Sequence, residues 1–193
     1  MSRTLILLFH RDIAKSTANR ALRDCAATLS GVEVVDMQSL YPEGIIDVAT
    51  NVADEAQRLL SADRIILQFP IQWYATPTLL KAWQDSVLTR MFYIFAEDEG
   101  DRLSGTPLMI AATAGNIPGA YGPGGANHFT IEEIFTPLRA TAHRCGLPWH
   151  EPYVVFTADK LDEASLVAAA EGYANAIETF IAATPSASEH EAG

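Results

Sequence analysis

Apolar residues along this chain follow two alternating patterns. One is a short, nearly uninterrupted apolar run, which is typical of a parallel strand buried on both faces. Such runs lie at residues 4–9, 32–35, 64–69, 107–112 and 153–156. The other pattern repeats apolar residues at helical spacing, and it fills the stretches 16–29, 47–60, 76–88, 130–145 and 162–182. Strand and helix alternate five times, which predicts an α/β fold, one open parallel sheet with helices on both faces.

Local signals set the expected ends of these helices. Thr76 and Pro77 supply an N-cap and a proline at the first helical position. Asp47 can cap the second helix, and Gly31 is expected to stop the first. Thr130 and Glu133 have the spacing of a capping box. We therefore expect one domain over residues 1–183 and a disordered acidic tail over 184–193, which carries no apolar pattern.

Composition narrows the possible partners. The chain has 193 residues with 13 Lys and Arg against 24 Asp and Glu, a net charge of −11. That charge argues against nucleic acid or an anionic membrane as the main partner. No apolar run approaches the ~20 residues of a membrane span, and no signal peptide precedes the first strand, so we expect a cytoplasmic protein with reduced thiols. We expect no metal site, because His143, Cys145 and His150 lack a matching ligand pair elsewhere.

Ligands of open α/β sheets bind beyond the carboxyl ends of the strands, where the strand order reverses. Three loops that follow predicted strands are unusual, at residues 10–19, 70–76 and 113–129. The first offers hydroxyl, amide and free N–H groups at a helix start, which suits a phosphate, although ordinary capping by Ser16 explains the same residues. The second contains Trp73 and Tyr74 beside prolines, which suits either a planar cofactor or an aromatic turn covering the sheet end.

Motifs over nearly the whole chain resemble one family. The segment from Gln68 to Trp83, with Gln-Phe-Pro-Ile-Gln-Trp-Tyr at its start, is similar to the flavin loop of the NAD(P)H:quinone reductase family of flavodoxin-like proteins. Within it, the chain most resembles the short bacterial branch that includes the ancillary protein of the glutathione-gated potassium efflux system. Further matches in order are Phe9-His10, Ser16-Thr17-Ala18-Asn19, Leu40-Tyr41-Pro42, Ile46-Asp47, Ala112-Thr113-Ala114-Gly115, Pro137-Leu138 and Cys145-Gly146-Leu147.

The resemblance implies a flavodoxin strand order, 2-1-3-4-5, and a cofactor site built from the three loops. The flavin phosphate would be held by His10, Ser16, Thr17, Ala18 and Asn19. The flavin ring would lie against Pro70, Ile71, Gln72, Trp73 and Tyr74, with backbone N–H groups of 71–74 bonding its edge. The third loop would contribute Thr113, Ala114, Gly115 and Asn116.

Two departures and two catalytic candidates lie in the third loop. Asn116 stands where the family usually has glycine, and Asn is the residue that best replaces glycine at positive φ. Tyr121 and His128 match a Tyr and a His that line the family's site, with an interval longer by one residue. They would donate hydrogen bonds or a proton to the developing hydroquinone. Without the resemblance, a solvent-exposed His in a mobile glycine-rich loop explains the same residues.

The implied function is a two-electron, ping-pong transfer from NADPH or NADH through the flavin to a quinone-like acceptor. FMN is the first choice of cofactor, because the chain lacks the long C-terminal extension of the FAD-using mammalian enzymes, and FAD stays open. The resemblance also implies a homodimer, whose site the aromatic segment with Phe92, Tyr93 and Phe95 would complete from the second subunit. Two alternatives remain, namely a regulatory subunit of a potassium efflux antiporter and an electron-carrier flavodoxin.

Overall fold

A computed structural model describes residues 3–47 and 50–184 of the chain. Five parallel strands form one sheet in the order β2-β1-β3-β4-β5, which confirms the predicted fold. The strands are β1 Thr4–Leu8, β2 Val32–Asp36, β3 Arg64–Pro70, β4 Leu108–Thr113 and β5 Tyr153–Val155. The helices are α1 Ala18–Ala26, α2 Met37–Leu40, α3 Val52–Leu60, α4 Thr78–Thr89, α5 Asp101–Leu103, α6 Ile131–Ile134, α7 Thr136–Arg144 and α8 Glu163–Ala183.

The three central strands β1, β3 and β4 are buried on both faces, as their apolar sequences require, and the edge strands β2 and β5 are partly buried. Side chains alternate along each strand, so Leu5 and Leu7 of β1 join one core while Ile6 joins the other. The first core lies under α3, α4 and α7, and the second lies under α1 and α8. Covering both faces leaves only the strand ends and their loops open to ligands.

Several predicted helix ends are corrected by the structure. The first helix ends at Ala26, before residues 27–29, because the last amides bond three residues back and tighten the turn. Asn51 precedes α3 instead of Asp47, and residues 48–49 of that prediction lie outside the described residues. Pro77 is the N-cap residue of α4, so this helix begins one residue later than predicted. The short helix α2 was not predicted, although Asp36 caps it by accepting from two backbone amides.

The helix predicted over residues 130–145 is two helices. Its capping box is present as predicted, with Thr130 and Glu133 each bonding the backbone of the other. Pro137 has no N–H to continue the hydrogen-bond ladder, so α6 ends at Ile134 and α7 begins at Thr136. At the other end of the chain, the predicted disorder is wrong for Thr184, whose buried hydroxyl accepts from Arg64. Residues 185–193 of that prediction lie outside the described residues.

A buried carboxylate joins the helices on one face. Glu55 of α3 accepts hydrogen bonds from the hydroxyl of Tyr41 at 2.8 Å and the indole N–H of Trp83 at 3.0 Å. Arg58 adds a 3.3 Å contact from its Nε. Trp83 of α4 is buried, and its ring packs edge-on against Phe9. Glu55 therefore fixes α4, the helix that leaves the second loop, against the rest of the fold.

The aromatic segment after α4 forms two wide helical turns, Arg90–Ile94 and Ala96–Gly100. Arg90 binds both carboxylate oxygens of the buried Glu99 at 2.7–3.1 Å, and its guanidinium lies 4.2 Å from the ring centre of Phe95. Tyr93 is 70 % exposed, and Ile94 and Phe95 are also exposed. The segment therefore presents a rigid apolar surface to solvent.

Candidate functional site

The three predicted loops meet at one edge of the sheet. Strands β1, β3 and β4 are neighbours in the sheet, and each ends at the edge where its loop begins. The chain leaves β1 toward β2 on one side and leaves β3 toward β4 on the other, so the strand order reverses between β1 and β3. Backbone bonds hold the loop bases together, from Phe9 N to Gln68 O and from Ile71 N to Thr113 O, both 2.8 Å. This edge is where an open α/β sheet binds its ligand.

The first loop presents the N-terminus of α1. The hydroxyl of Ser16 accepts from the amide of Asn19 at 3.1 Å, which is ordinary capping. The amides of Thr17 and Ala18 have no partner among the described residues. Open amides at the positive end of a nine-residue helix are groups that can bind an anion without a basic side chain. Lys15 lies close in sequence, and its ammonium is paired with Asp12 at 2.8 Å.

His10 follows β1 at the start of the same loop, and a hydrogen bond fixes the tautomer of its ring. Its Nδ1 accepts from the amide of Asp12 at 3.1 Å, which leaves Nε2 to carry the proton. Burial lowers the pKa of His10, which opposes protonation of the ring, and Asp12 partly offsets that effect. His10 is therefore a neutral N–H donor in the same loop as the open amides of α1.

Asn19 lies behind the turn rather than in it. Its side chain is buried, and its Nδ2 donates to the hydroxyl of Thr113 at 2.9 Å. Its backbone carbonyl accepts from Nε2 of Gln68 at 3.0 Å. The side-chain donor predicted for a phosphate is therefore engaged inside the protein.

The second loop is a tight hairpin. Gln72 and Ala75 exchange two backbone hydrogen bonds of 3.0 Å, and Trp73 and Tyr74 between them have φ of 48° and 61°. Two-residue hairpins of this hand favour Asn-Gly, so two aromatic residues hold a strained backbone here. Trp73 is 94 % exposed.

The hairpin corrects one expectation about backbone donors. The amide of Ile71 donates to Thr113 and that of Gln72 to Ala75, so these two are not free to bond a ring edge. The amides of Trp73 and Tyr74 have no partner in the described part of the chain. Of the four predicted donors, the strained pair at the hairpin tip is what remains.

The third loop is pinned to a loop that the sequence did not indicate. Ala114 O accepts from Ala158 N and Asn116 O accepts from Thr157 N, each at 3.1 Å. Thr157 has φ of 50°, which is unusual for a β-branched residue, whereas Asn116 has no positive φ. The expectation that Asn116 replaces a glycine at positive φ is therefore wrong. The strained backbone is instead that of Thr157, opposite Asn116. A threonine in the sequence does not indicate a positive φ.

Glycines fold the rest of the third loop onto itself. The amide of Asn127 donates to Ala120 O at 2.9 Å, which closes the loop between Tyr121 and His128. A Cβ on Gly125 would lie 2.4 Å from Ala120 O, so only glycine fits there. The hydroxyl of Tyr74 donates to Oδ1 of Asn127 at 3.1 Å, which joins the hairpin to this loop.

The structure brings Tyr121 and His128 to opposite ends of one closed loop. The Tyr121 ring packs 5.6 Å from that of Phe156, after β5, and is half-buried. His128 is exposed with φ of 60°. The two side chains therefore lie in different surroundings, one packed and one in solvent. Their catalytic roles stay predictions.

An apolar groove of about 440 Å³ runs from the hairpin between α4 and the pair α6 and α7. Tyr74, Ala75 and Thr76 line its end at the hairpin, and Phe135 and Leu138 line its wall.

No group of three or more His, Cys, Asp or Glu side chains within residues 3–47 and 50–184 could hold a metal ion. No helix in the same ranges is long and apolar enough to cross a membrane.

Comparisons with known proteins agree on the relationship. The family model described as flavodoxin-like fold matches residues 2–177. General stress protein 14 of Bacillus subtilis is 39 % identical over 153 residues, 79 % of this chain and 83 % of the relative. The potassium-efflux ancillary protein KefF of Klebsiella pneumoniae is 37 % identical, covering 88 % and 91 %. The uncharacterized NAD(P)H oxidoreductase YdeQ of B. subtilis is 32 % identical, covering 89 % and 84 %.

Solved structures superpose closely on the fold. General stress protein 14 of Treponema denticola, in complex with FMN, has a TM-score of 0.81 at 30 % identity and covers 92 % of this chain and 98 % of its own. An NADPH-quinone reductase from P. pentosaceus has a TM-score of 0.75 at 29 % identity, covering 89 % and 95 %. A protein described as a tryptophan halogenase from Streptomycin violaceusniger has 0.81 at 35 %, covering 89 % and 96 %. The chain belongs to the flavodoxin-like fold family, among relatives that include NAD(P)H oxidoreductases and quinone reductases.

Proposed function

We propose that this protein is an FMN-dependent NAD(P)H:quinone oxidoreductase that transfers two electrons in a ping-pong cycle. The observation that carries the proposal is the convergence of an open helix N-terminus and a strained aromatic hairpin at the reversal of strand order. Relatives and solved neighbours named as NAD(P)H oxidoreductase, FMN complex and quinone reductase support it.

The residues at this edge fit FMN. The amides of Thr17 and Ala18 are open for a phosphate, and neutral His10 can donate from Nε2. The amides of Trp73 and Tyr74 are open for the edge of a flat ring. FMN is preferred to FAD, because FMN is the cofactor of the solved Treponema relative. When bound, FMN supplies hydride transfer between a nicotinamide and an acceptor.

The protein's own residues then supply orientation and protons. The hairpin amides of Trp73 and Tyr74 are fixed donors, since the two bonds between Gln72 and Ala75 hold the tip. His128 is exposed to solvent, so it can hand a proton to a bound quinone oxygen and recover it from water. Tyr121 is held against Phe156, and its hydroxyl is a second hydrogen-bond donor from the same loop.

The deciding experiment is an anaerobic titration of purified protein after incubation with excess FMN and gel filtration. We expect a yellow protein that bleaches with NADPH or NADH and recovers its colour with a 1,4-naphthoquinone. Double-reciprocal plots of rate against nicotinamide concentration, measured at several quinone concentrations, should be parallel. This pattern is the one that a ping-pong cycle gives. Protein that binds neither FMN nor FAD would overturn the proposal. Intersecting lines would contradict the ping-pong cycle and leave the cofactor assignment standing.

The same proposal includes a homodimer. The groove opens at one end of the α4 and α7 face, and Tyr93, with Arg144 of α7 5.3 Å from its ring centre, is exposed at the other end. A two-fold axis across that face would place the segment 93–95 of each copy in the groove of the other, because such interfaces are self-complementary. Light scattering should give twice the mass of the chain at micromolar concentration. A monomer would contradict this part.

A second candidate function is regulation of a potassium-efflux antiporter. The likeness to KefF, which spans most of both chains, favours it. This role is compatible with oxidoreductase activity. The test is whether the tagged protein co-purifies with an antiporter from detergent-solubilised membranes of its own host. Recovery of an antiporter with the tagged protein, and not with the tag alone, would support it.

A further inference from the structure

Three buried polar side chains lie directly beneath the candidate site. Gln68 is in β3, Asn19 is in the first turn of α1, and Thr113 is the last residue of β4. All three are at most 5 % exposed. Each also stands next to one loop of the site, since the ring loop begins at Pro70, the third loop after Thr113 and the open amides just before Asn19.

Hydrogen bonds connect the three residues in series. Nε2 of Gln68 donates to the backbone carbonyl of Asn19 at 3.0 Å, and Nδ2 of Asn19 donates to Oγ1 of Thr113 at 2.9 Å. The amide of Asn19 in turn donates to Ser16. The series therefore runs from the strand that carries the hairpin, through the helix that carries the open amides, to the strand that carries the glycine-rich loop.

The series leaves two of its own buried polar atoms without partners. Oδ1 of Asn19 and Oε1 of Gln68 are buried without a hydrogen-bond partner among the described residues. A buried polar atom left without a partner costs about 1–3 kcal/mol. A core selected for stability alone would hold apolar side chains of the same size at such positions, because replacing both partners by apolar groups can be neutral.

We infer that Gln68 is a positioning residue that sets the spacing between the open amides of α1 and the aromatic hairpin. This inference rests on the proposed function, because FMN is the ligand whose phosphate and ring would be held at that spacing. A ligand that reaches both ends depends on the spacing. A ligand that occupies only the ring end does not.

FMN and riboflavin make the matched pair of probes, because riboflavin has the same ring and no phosphate. Gln68→Met keeps the length of the side chain and removes the donor to Asn19. We expect FMN affinity to fall about tenfold, which corresponds to the loss of roughly one to two hydrogen bonds. Riboflavin affinity and thermal stability should not fall. Thr4→Val, at a buried threonine of β1 that is at the opposite edge of the sheet, is the control, and both affinities should equal those of wild type.

A second pair of variants protects the test if Gln68→Met does not fold. Thr113→Val removes the hydroxyl that Asn19 bonds, and Thr113→Ser keeps it. The valine variant should lower the FMN-to-riboflavin affinity ratio, and the serine variant should restore it. Equal losses for both ligands, or an unchanged ratio in both Gln68→Met and Thr113→Val, would overturn the inference. Wild-type protein that binds neither ligand would instead refute the proposed function.

Discussion

Removing the carboxylate of Glu55 is a direct test of what holds α4 beneath the candidate site. In Glu55→Ala, the Tyr41 hydroxyl and the Trp83 indole N–H lose their acceptor inside the core. Each buried donor left unpaired costs about 1–3 kcal/mol. Arg58 also loses its partner, and the smaller side chain leaves a void. Together these changes should lower the free energy of unfolding by about 3–5 kcal/mol.

Glu55→Gln separates the hydrogen bonds from the charge. The amide oxygen can still accept from Trp83, and the Tyr41 hydroxyl can turn to accept from the amide NH₂. The remaining loss is the contact with the partly exposed Arg58, about 1 kcal/mol. Urea unfolding followed by far-ultraviolet circular dichroism measures both values, provided that the slope with urea is unchanged.

The exposed Glu171 of α8 provides the control, and Glu171→Ala should change the free energy by no more than about 0.5 kcal/mol. If Glu55→Ala costs no more than Glu55→Gln, the buried donors do not depend on this carboxylate, and Glu55 is not what holds α4.

Three further predictions concern the site itself. Gly125→Ala should slow quinone reduction while FMN stays bound, because its Cβ would collide with Ala120 O, and Gly119→Ala, which has open space, should not; equal rates in both variants would count against the closed loop. His128→Ala should lower the steady-state rate with a naphthoquinone by roughly 10²-fold or less without loss of FMN, and an unchanged rate would remove His128 from the chemistry. Burial lowers the pKa of His10 from 6.5, so the unfolded chain takes up the proton first as pH falls. Stability should therefore drop as pH decreases through 6.5 and level off below the folded pKa; thermal melts of His10→Gln should show a shallower drop, and an identical pH profile would contradict this.

The sheet could be predicted from sequence because its signal is redundant. The central strands β1, β3 and β4 are buried on both faces, so each appears as an apolar run regardless of its neighbours, and the helices between the strands fix parallel pairing. The positions of the three loops follow from that topology. The break at Pro137 was present in the sequence as a residue that cannot continue a helix, yet the apolar repeat across it outweighed that signal.

Details of the site depended on contacts that no local pattern contains. An asparagine at position 19 could direct its side-chain amide to a phosphate or to Thr113. The distance between α1 and β4 decides which of these it bonds. The positive φ of Thr157 comes from bonds that join its loop to the third loop, 41 residues earlier at Asn116. The occupied amides of Ile71 and Gln72 follow from a hairpin whose aromatic residues are not those that such turns favour.

That hairpin also bears on how this protein tolerates change. Trp73 and Tyr74 have left-handed backbone angles, which destabilise the fold by about 1–2 kcal/mol each. The side chain of Trp73 is almost fully exposed, so its burial does not offset this cost. A glycine at either position would relax the backbone, so a library screened only for heat resistance would enrich glycine there. The variants that survive best in such a screen would be those that have discarded the aromatic tip, and thermostability would then be a misleading guide to a useful catalyst.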